Sequence, residues 1–392
     1  MPTKGGLRIA IIGSRGIPAA YGGFETFAEE LAPRLVERGH DVTVYCRRGY
    51  TRDDSLAEYR GVRLIHAPAL RSRSFEQLSH ELVSIADSIR RRFELYYFLG
   101  YRGAPFYLPL KASSRVVVVN TNGLEWKRRK WNLLGRTYLR TAEWIAAHLA
   151  SDELISDARA IADYFRTAHG VDSTYITNGA YVLDETSLRP EVVERYGLTK
   201  GGYYLVACRI EPENNVDLIV REFIASGSGR ELVVAGGMNY ETRFWTELQS
   251  MAEGSRVRFL GPVYGEMEVE SLHLGAYAYL HGHEVGGTNP ALLKAMGCGN
   301  LAIALDTAFN AENLADTGLY WTKEPGSLAE QIRRADANPD QTSALGRAAQ
   351  ARIAARYRWE QIADAHDAFF RDVARGHGYA VEAGTAPRDV GA

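Results

Sequence analysis

Residues His281–Asn300 read HGHEVGGTNPALLKAMGCGN, and the short apolar run Ala276–Leu280 precedes them. The apolar run is typical of a buried strand. After Pro290 the apolar residues recur at helical spacing. Thr288 or Asn289 can cap the helix that this spacing predicts, and proline suits its first turn. The stretch therefore predicts a strand, a turn and a helix in direct succession.

Two glycines, Gly286 and Gly287, stand in this turn just before the helix cap. Glycine lets the backbone approach a ligand closely. A helix N-terminus presents amide groups and the positive end of the helix dipole, so the whole arrangement predicts an anion site. An ordinary strand-to-helix connection would use the same residues, and this stretch by itself supports both interpretations.

Strands and helices alternate on both sides of this stretch. In the second half, apolar runs that predict buried strands lie at Tyr203–Cys208, Leu232–Ala235, Val257–Leu260 and Leu301–Leu305. The first half has such runs at Leu7–Ile12, Asp41–Cys46, Val62–Ala67, Leu95–Leu99 and Arg115–Asn120. This alternation predicts two doubly wound α/β domains that face each other, with the cleft between them as the default ligand site.

The opening of the chain also resembles a dinucleotide-binding unit, because a strand, a glycine loop and a helix follow one another. Arg47 and Arg48, at the end of the second strand, would suit a 2′-phosphate. The loop, however, lacks G-x-G-x-x-G, and it is several residues too long because the helix begins only after Gly22 and Gly23. The sequence therefore argues against a dinucleotide.

Segment 122–131, NGLEWKRRKW, directly follows the predicted strand Arg115–Asn120. Ligands of open α/β sheets bind at the carboxyl ends of the strands, so Asn122 and Glu125 are well placed for chemistry. The four basic residues between Trp126 and Trp131 could bind a phosphate-rich acceptor or an anionic membrane surface. A solvated helix face is the alternative explanation.

The composition of the 392 residues is that of a globular protein large enough for two domains. The net charge of −2 implies no nucleic-acid partner, but residues 1–185 carry about +5 and the remainder about −7. Three cysteines form neither a metal motif nor a disulfide framework. No apolar run has membrane-spanning length and the N-terminus has no apolar signal, so we expect a cytoplasmic protein with at most peripheral membrane contact.

Five blocks in order resemble the retaining glycosyltransferases of the two-domain GT-B fold, sequence family 4. These blocks are Gly22-Gly23-Phe24-Glu25, Asn178-Gly179, Arg209–Asn215, Gly236-Gly237 through Gly261, and the stretch 281–300 with its AMGCG ending. Segments 13–26 (GSRGIPAAYGGFET), 122–131 and 282–297 (GHEVGGTNPALLKAMG) are similar to a narrower branch, the rhamnosyltransferases of bacterial polysaccharide assembly.

The resemblance implies an α/β protein of GT-B fold with two Rossmann-like domains. Residues 1–185 would bind the acceptor and residues 186–357 the nucleotide-sugar donor. The helix 358–375 would cross back to the first domain. The tail 376–392, which contains Gly, Ala and Pro, is predicted to be disordered.

Transfer requires a diphosphate to leave an oxocarbenium-like sugar, so groups that stabilise the leaving charge contribute most. The candidates for the catalytic groups are Arg209, Lys294, Asn122 and Glu284. The donor-binding candidates are Gly22, Gly23, Asn178, Arg209, Asn214, Gly261, His283, Gly286, Gly287, Thr288, Asn289 and Lys294. The acceptor-side candidates are Glu25, Glu125, Trp126, Lys127 and Arg128. No D-x-D motif occurs, so metal-independent catalysis without a cofactor is expected.

Two positions depart from the family pattern. The family usually has a diphosphate-binding lysine where Asn214 stands and a ribose-binding glutamate where Lys294 stands. Our hypothesis is that Lys294 supplies the lost phosphate contact; the alternative is a solvated helix lysine. The usual pair of glutamates eight residues apart is also broken, because the position eight before Lys294 is Gly286, with Glu284 two residues earlier. No general base is identified.

The resemblance implies a retaining glycosyltransferase that moves a sugar, with L-rhamnose from dTDP-rhamnose as the best candidate, to a lipid-linked or polysaccharide acceptor. The basic first domain would make any peripheral contact with the inner face of the membrane. Two alternatives remain open: a nucleotide-sugar epimerase of GT-B-like fold, and a non-catalytic nucleotide-sugar-binding subunit.

Overall fold

The computed structural model describes residues 5–20, 22–51, 53–70, 72, 75–113, 115–128, 130–237, 243–263 and 265–382. The chain divides into two compact units. The first comprises Met1–Asn178 together with Trp359–Ala392, and the second comprises Gly179–Arg358.

The first unit is built on an eight-stranded sheet. Its strands are β1 (Arg8–Ile12), β2 (Asp41–Arg47), β3 (Glu58–Tyr59), β4 (Val62–Ala67), β5 (Leu95–Leu99), β6 (Val116–Asn120), β7 (Glu153–Ser156) and β8 (Thr174–Tyr175). The order across the sheet is β3-β4-β2-β1-β5-β6-β7-β8, and only the short β3 runs antiparallel to its neighbour. Strands β5 and β6 are buried at every residue, as expected for a parallel sheet covered on both faces.

Five helices connect these strands. They are α1 (Gly23–Glu37), α2 (Glu76–Arg91), α3 (Leu108–Ala112), α4 (Leu133–Ile145), which continues as a π-helical turn over Ala146–Ala150, and α5 (Arg159–His169).

The second unit has a six-stranded parallel sheet. Its strands are β9 (Tyr203–Ala207), β10 (Glu231–Ala235), β11 (Val257–Gly261), β12 (Ala278–His281), β13 (Leu301–Leu305) and β14 (Leu319–Trp321), in the order β11-β10-β9-β12-β13-β14. Alternate residues of β9 enter two separate cores: Tyr204 and Val206 pack on one face, Tyr203 and Leu205 on the other. The sheet is therefore covered by helices on both faces.

The helices of the second unit are α6 (Pro190–Arg195), α7 (Val216–Ser226), α8 (Arg243–Ala252), α9 (Glu266–Gly275), α10 (Pro290–Gly297), α11 (Ala308–Leu314), α12 (Ser327–Ala337) and α13 (Pro339–Arg356).

The last helix, α14 (Trp359–Gly376), belongs to the first unit. Its apolar face joins the core of that unit through Ile362 and Phe370, which are fully buried. Its polar side binds the end of α1, where Arg38 forms ion pairs with Asp364 at 2.6 Å and with Glu360 at 3.1 Å. The first unit thus contains both ends of the chain, and the second unit is formed by the continuous segment Gly179–Arg358.

Two predicted boundaries need correction. Residues 180–183 belong to the second unit, because the Ala180 amide donates to the Tyr357 carbonyl at 2.6 Å and the Leu183 amide donates to the Gly297 carbonyl at 2.9 Å. The boundary is therefore at Asn178 rather than at 185. The predicted disordered tail 376–392 needs correction for 376–382, since Gly376 ends α14 and Tyr379 and Val381 pack against the first core; residues 383–392 lie outside the described part.

Candidate functional site

Strand β12 leads through the loop 282–289 into α10, in the order predicted from the sequence. Asn289 caps the helix, because its side-chain oxygen accepts a hydrogen bond from the Ala291 amide at 2.9 Å, and Pro290 is the first helical residue. Gly286 has a φ of +145° and open space where a side chain would lie. The loop thus needs glycine here for its backbone conformation, and that conformation leaves room beside the helix N-terminus.

The start of this loop is held by side chains from three distant elements. Three consecutive carbonyls accept hydrogen bonds as follows: His281 from the Trp321 indole at 3.2 Å, Gly282 from the Asn215 amide at 2.8 Å, and His283 from the Asn310 amide at 3.2 Å. A backbone fixed in this way is pre-organised for binding. Little conformational free energy is therefore spent on ordering it when a ligand binds.

The next residue, Glu284, is also held on both sides. Its amide donates to the Glu213 carbonyl at 3.1 Å, and its carboxylate pairs with Lys323 at 2.6 Å. Gly282 approaches the Asn214 carbonyl so closely that a Cβ there would collide with it. The loops 209–215 and 282–284, at the carboxyl ends of the neighbouring strands β9 and β12, therefore form one structure.

Arg209 and Asn214 play different parts in the loop after β9. The half-exposed side chain of Arg209 pairs with Glu211 at 3.0 Å. Asn214 is buried, and its amide donates to the Arg209 carbonyl at 2.7 Å. Asn214, which the sequence predicts to bind the donor, thus positions the backbone of the arginine with its side-chain amide.

The two histidines of the loop stack on each other, with ring centroids 4.4 Å apart. His281 is buried, and this burial, together with the neighbouring His283, holds the pKa of His281 well below its usual range. His281 is therefore neutral at physiological pH, and its buried ring packs against the ring of His283.

Lys294 lies on α10 and points to α9. Its ammonium is 3.6 Å from the Glu270 carboxylate and 3.7 Å from that of Glu266. These contacts are long and partly solvated, so they contribute little free energy. The ammonium of Lys294 is therefore paired with two carboxylates, but these weak contacts allow it to exchange them for another anion.

The predicted glycine blocks have backbone explanations. A Cβ on Gly236 would collide with the Cys208 carbonyl, so glycine lets the ends of β9 and β10 approach each other. Gly261, at the end of β11, has a φ of +75°. In the first unit, a Cβ on Gly22 would collide with the Glu25 carboxylate, and Gly23 begins α1.

Glu25 is buried, and its carboxylate accepts a hydrogen bond from the Arg15 amide at 2.9 Å. Glu25, which the sequence predicts on the acceptor side, holds the loop between β1 and α1 through this bond. Asn178 lies partly buried at the last residue before the second unit.

A cluster of charges surrounds Glu125, in the segment after β6. Its carboxylate pairs with Arg128 at 2.9 Å and with Arg102 and Lys130 at 3.0 Å, and the Trp131 indole donates to it at 3.2 Å. Burial alone would raise the pKa of Glu125, but the three cations outweigh it and lower the pKa to about 2. The cluster therefore carries one negative and three positive charges.

The neighbours of Glu125 are also anchored. The Trp126 indole donates to Glu143 at 3.0 Å, while the Arg140 guanidinium lies 4.2 Å from its ring centroid. Lys127 is exposed. Asn122 has a φ of +30°, and its amide donates to the Asn120 side chain at 3.0 Å. Among Asn122, Glu125, Trp126, Lys127 and Arg128, Lys127 is the exposed residue, and its ammonium lies 5.5 Å from the Trp126 ring centroid.

The described residues offer neither a cluster of metal-binding side chains nor a membrane-spanning helix. They contain no group of three or more His, Cys, Asp or Glu side chains able to hold a metal ion. Among the helices of the described ranges, none combines the length and the apolar content needed to cross a bilayer.

Two family models match separate parts of the chain, the first within the first unit almost throughout and the second mostly within the second unit. Residues 7–181 match a domain of unknown function, DUF1972, and residues 217–367 match a family described as glycosyl transferase-like. No curated protein sequence matches the chain. The second unit is thus glycosyltransferase-like by sequence, while the model matched by the first unit carries no assigned activity.

Solved structures match almost the full length of the chain. Sucrose-phosphate synthase from Thermosynechococcus elongatus has a TM-score of 0.81 at 19% identity, over 94% of this chain and 100% of that one. HepE from Anabaena in complex with UDP has a TM-score of 0.74 at 16% identity, over 93% and 100%. The fold is that of the GT-B glycosyltransferases. Starch synthase IV from Arabidopsis thaliana, bound to ADP and acarbose, shares it at a TM-score of 0.72 and 12% identity, over 95% and 99%.

Sequence reasoning missed several residues that build the GT-B loop after β12, namely Asn310, Trp321 and Lys323. Asn310 lies in α11, Trp321 ends β14, and Lys323 follows it. Strand β14 is only three residues long and gives no apolar run that would stand out. The pairing of β12 with β13 brings Asn310, which follows β13, to the loop, and the pairing of β13 with β14 brings Trp321 and Lys323.

Proposed function

We propose that this protein is a glycosyltransferase whose second unit binds a nucleoside-diphosphate sugar. The observation that carries the proposal is the pre-organised loop after β12, which leads into a capped helix N-terminus and is bonded to the loop of Arg209. A helix N-terminus and a nearby guanidinium are complementary to a diphosphate. The match of residues 217–367 to a glycosyl transferase-like family supports the same function.

Sugar transfer from such a donor requires stabilisation of the negative charge on the leaving diphosphate. Arg209 would supply one positive charge, and the backbone amides of Gly287, Thr288 and Asn289 would supply hydrogen bonds that are already oriented. The pair between Arg209 and Glu211 is half-exposed and therefore weak, so the guanidinium can exchange it for a phosphate. We propose that these protein groups act without a metal ion and that the configuration of the sugar is retained.

The finer assignment rests on the resemblance of segments 13–26, 122–131 and 282–297 to the rhamnosyltransferase branch. We take L-rhamnose from dTDP-rhamnose as the leading donor, and a lipid-linked or polysaccharide acceptor. The first unit would bind the acceptor through the cluster around Glu125, whose surplus of positive charge suits a phosphate group on the acceptor. A cytoplasmic protein at the inner face of the membrane fits this assignment.

Two other functions would leave different products. A nucleotide-sugar epimerase would convert the donor without an acceptor, and a non-catalytic subunit would bind the donor without converting it. The replacement of the usual cation by Asn214, whose amide is used within the protein, keeps the second alternative in view.

The test is an activity screen in the presence of a chelator. The protein is incubated with dTDP-rhamnose and with other dTDP-, UDP- and GDP-sugars, with and without lipid-linked saccharide acceptors, and the nucleotide and sugar products are separated. Transfer that needs an acceptor and releases one nucleoside diphosphate supports the proposal. Donor isomerisation without an acceptor would establish the epimerase, and binding without turnover would establish the non-catalytic subunit.

A further inference from the structure

The surface of α4 and the segment before it combines exposed leucines with an excess of cations. From Trp126 to Leu149 the sequence contains six Lys and Arg and one acidic residue, Glu143. Glu143 is buried, and its carboxylate accepts hydrogen bonds from the Tyr164 hydroxyl at 2.7 Å and from the Trp126 indole at 3.0 Å. The charged side chains that the described part of this segment exposes are therefore all basic.

Leu133 and Leu134 form the first turn of α4, and each is 80% exposed. Asn132 caps the helix by accepting the Gly135 amide at 2.9 Å, so the two leucines stand on a fixed backbone. The opposite face of the helix, with Leu139 and Ala142, is buried in the protein. The two leucines thus project from a rigid element that is anchored on its other side.

Exposed cations flank these leucines along the chain. Lys127 and Lys130 precede them, and Arg136 and Arg140 follow on the next turns of the helix. Lys130 also pairs with Glu125 at 3.0 Å, and Arg140 lies over the Trp126 ring. Farther along the helix, Trp144 is a third large apolar side chain that is about half exposed. Together these residues, from Lys127 to Trp144, form what we call the α4 surface.

We propose that the α4 surface docks on an anionic lipid bilayer, with Leu133 and Leu134 inserted at the boundary between headgroups and acyl chains and the cations bound to headgroup phosphates. An apolar pair flanked by cations suits this interface, because the two contributions add: apolar burial holds the leucines, and charge attraction holds the cations. A scattered exposed leucine needs no explanation, but an adjacent pair flanked by cations does.

Charge argues against a second copy of this chain as the occupant. A twofold interface would bring identical surfaces together, so the cations of one copy would face those of the other. An anionic partner removes this repulsion. The inference extends the proposed function by naming the surface that would bring the enzyme to a lipid-linked acceptor, but its test does not depend on catalysis.

The experiment is co-sedimentation of the full chain with vesicles of phosphatidylcholine alone or mixed with phosphatidylglycerol, at low and at high salt. We expect binding to the anionic vesicles that weakens with salt and is absent with phosphatidylcholine alone. The variant L133S/L134S should weaken binding about tenfold or more, and R136Q/R140Q should weaken it to a similar extent.

Matched controls lie in the second unit. Met267 is 66% exposed and the Arg243 side chain is 91% exposed, so M267S and R243Q remove comparable groups from another surface and should bind as the unaltered protein does. Failure to bind anionic vesicles, or unchanged binding by L133S/L134S, would overturn the proposal. So would a concentration-dependent dimer that L133S/L134S abolishes.

Donor binding separates this proposal from the proposed function. L133S/L134S should keep the stabilisation that a nucleoside diphosphate gives to the unaltered protein, because the leucines lie in the first unit. Loss of vesicle binding with intact donor binding supports the docking surface. Intact vesicle binding by the unaltered protein without any donor binding would leave the surface standing and remove the proposed function.

Discussion

At the scale of single residues, the stability of the charge cluster after β6 depends on one carboxylate, that of Glu125. Glu125 is the one carboxylate among Arg102, Arg128 and Lys130, and it has the indole of Trp131 as a further donor. Removing it would leave three cations facing each other. The sequence predicted Glu125 as a site residue from its place after β6, but Arg102 is distant in sequence, and its contribution appears only in the fold.

The cluster predicts a pH dependence. The folded-state pKa of Glu125 is lowered from 4.5 to about 2 by its cations, although burial opposes the shift. Since the folded value lies below the unfolded one, the stabilisation is complete above about pH 4.5 and is lost as the pH falls toward 2. E125Q should cost about 2 to 3 kcal/mol at neutral pH and flatten this acid dependence.

The measurement for E125Q is urea unfolding as a function of pH. E185Q is the control, because the side chain of Glu185 is 85% exposed and should contribute little. If E125Q kept the stability of the unaltered protein at neutral pH and the same acid limb, the cluster would not stabilise the fold.

Lys294 is one of the two residues at which the sequence departs from the pattern of the family that it resembles. Its ammonium is 3.6 Å from Glu270 and 3.7 Å from Glu266. If the lysine reaches the donor phosphate, K294A should weaken donor binding by about tenfold or more, the value of one charge-assisted contact. E270Q, which removes a competitor for the ammonium, should leave affinity unchanged or raise it. Calorimetric titration of both variants with the same donor measures these affinities. Equal affinity of K294A and the unaltered protein would show that Lys294 does not contact the donor phosphate.

At the scale of elements, the loop after β12 depends on its neighbours for its shape. Asn215 is buried, has a φ of +51°, and donates to the Gly282 carbonyl at 2.8 Å. Asparagine tolerates this left-handed conformation better than alanine does. Its loss therefore affects both the backbone and the hydrogen bond.

We expect N215A to destabilise the second unit by about 2 kcal/mol and to weaken donor binding as the loop becomes disordered. N338A is the control, since Asn338 is exposed and its side-chain amide donates to the Arg334 carbonyl of the preceding helix, at 2.9 Å. Urea unfolding and donor titration measure the two effects. Donor affinity equal to that of the unaltered protein would mean that the loop does not depend on this bond.

Helix α10 also holds the chain where it enters the second unit. A Cβ on Gly297 would collide with the Tyr181 carbonyl. G297A should therefore cost about 2 kcal/mol or more, as overpacking does. Gly229 has nothing within 4 Å of its Cβ position, so G229A should be neutral or slightly stabilising. Similar urea midpoints for the two variants would contradict this packing.

At the scale of the whole molecule, the sequence predicted the architecture well, because fully buried parallel strands are continuous apolar runs. Val116–Asn120 and Leu301–Leu305 illustrate this, since all their residues are buried. Short or polar elements gave no such signal. The two-residue strand β3 was missed, and so was α9, whose buried residues include Ser271 and His273.

The candidate site was predictable only in part, for a related reason. The strand, the glycine turn and the capped helix are local features, and the sequence placed them correctly. The side chains that fix the turn, such as Asn310 and Trp321, come from elements that only the sheet order brings together. The resemblance marked Asn214 and Lys294 as unusual, but the partners of both became visible only in the structure.

The central claim is that the second unit binds a nucleoside diphosphate at Arg209 and the N-terminus of α10. The most direct test is thermal unfolding in chelator with dTDP, UDP and GDP, for the unaltered protein, R209A and the control R243A. One nucleoside diphosphate should stabilise the protein and R243A by about 2.7 kcal/mol at a hundredfold excess over its dissociation constant. R209A should lose most of this effect. No stabilisation by any of the three, or the same stabilisation in R209A, would contradict the account.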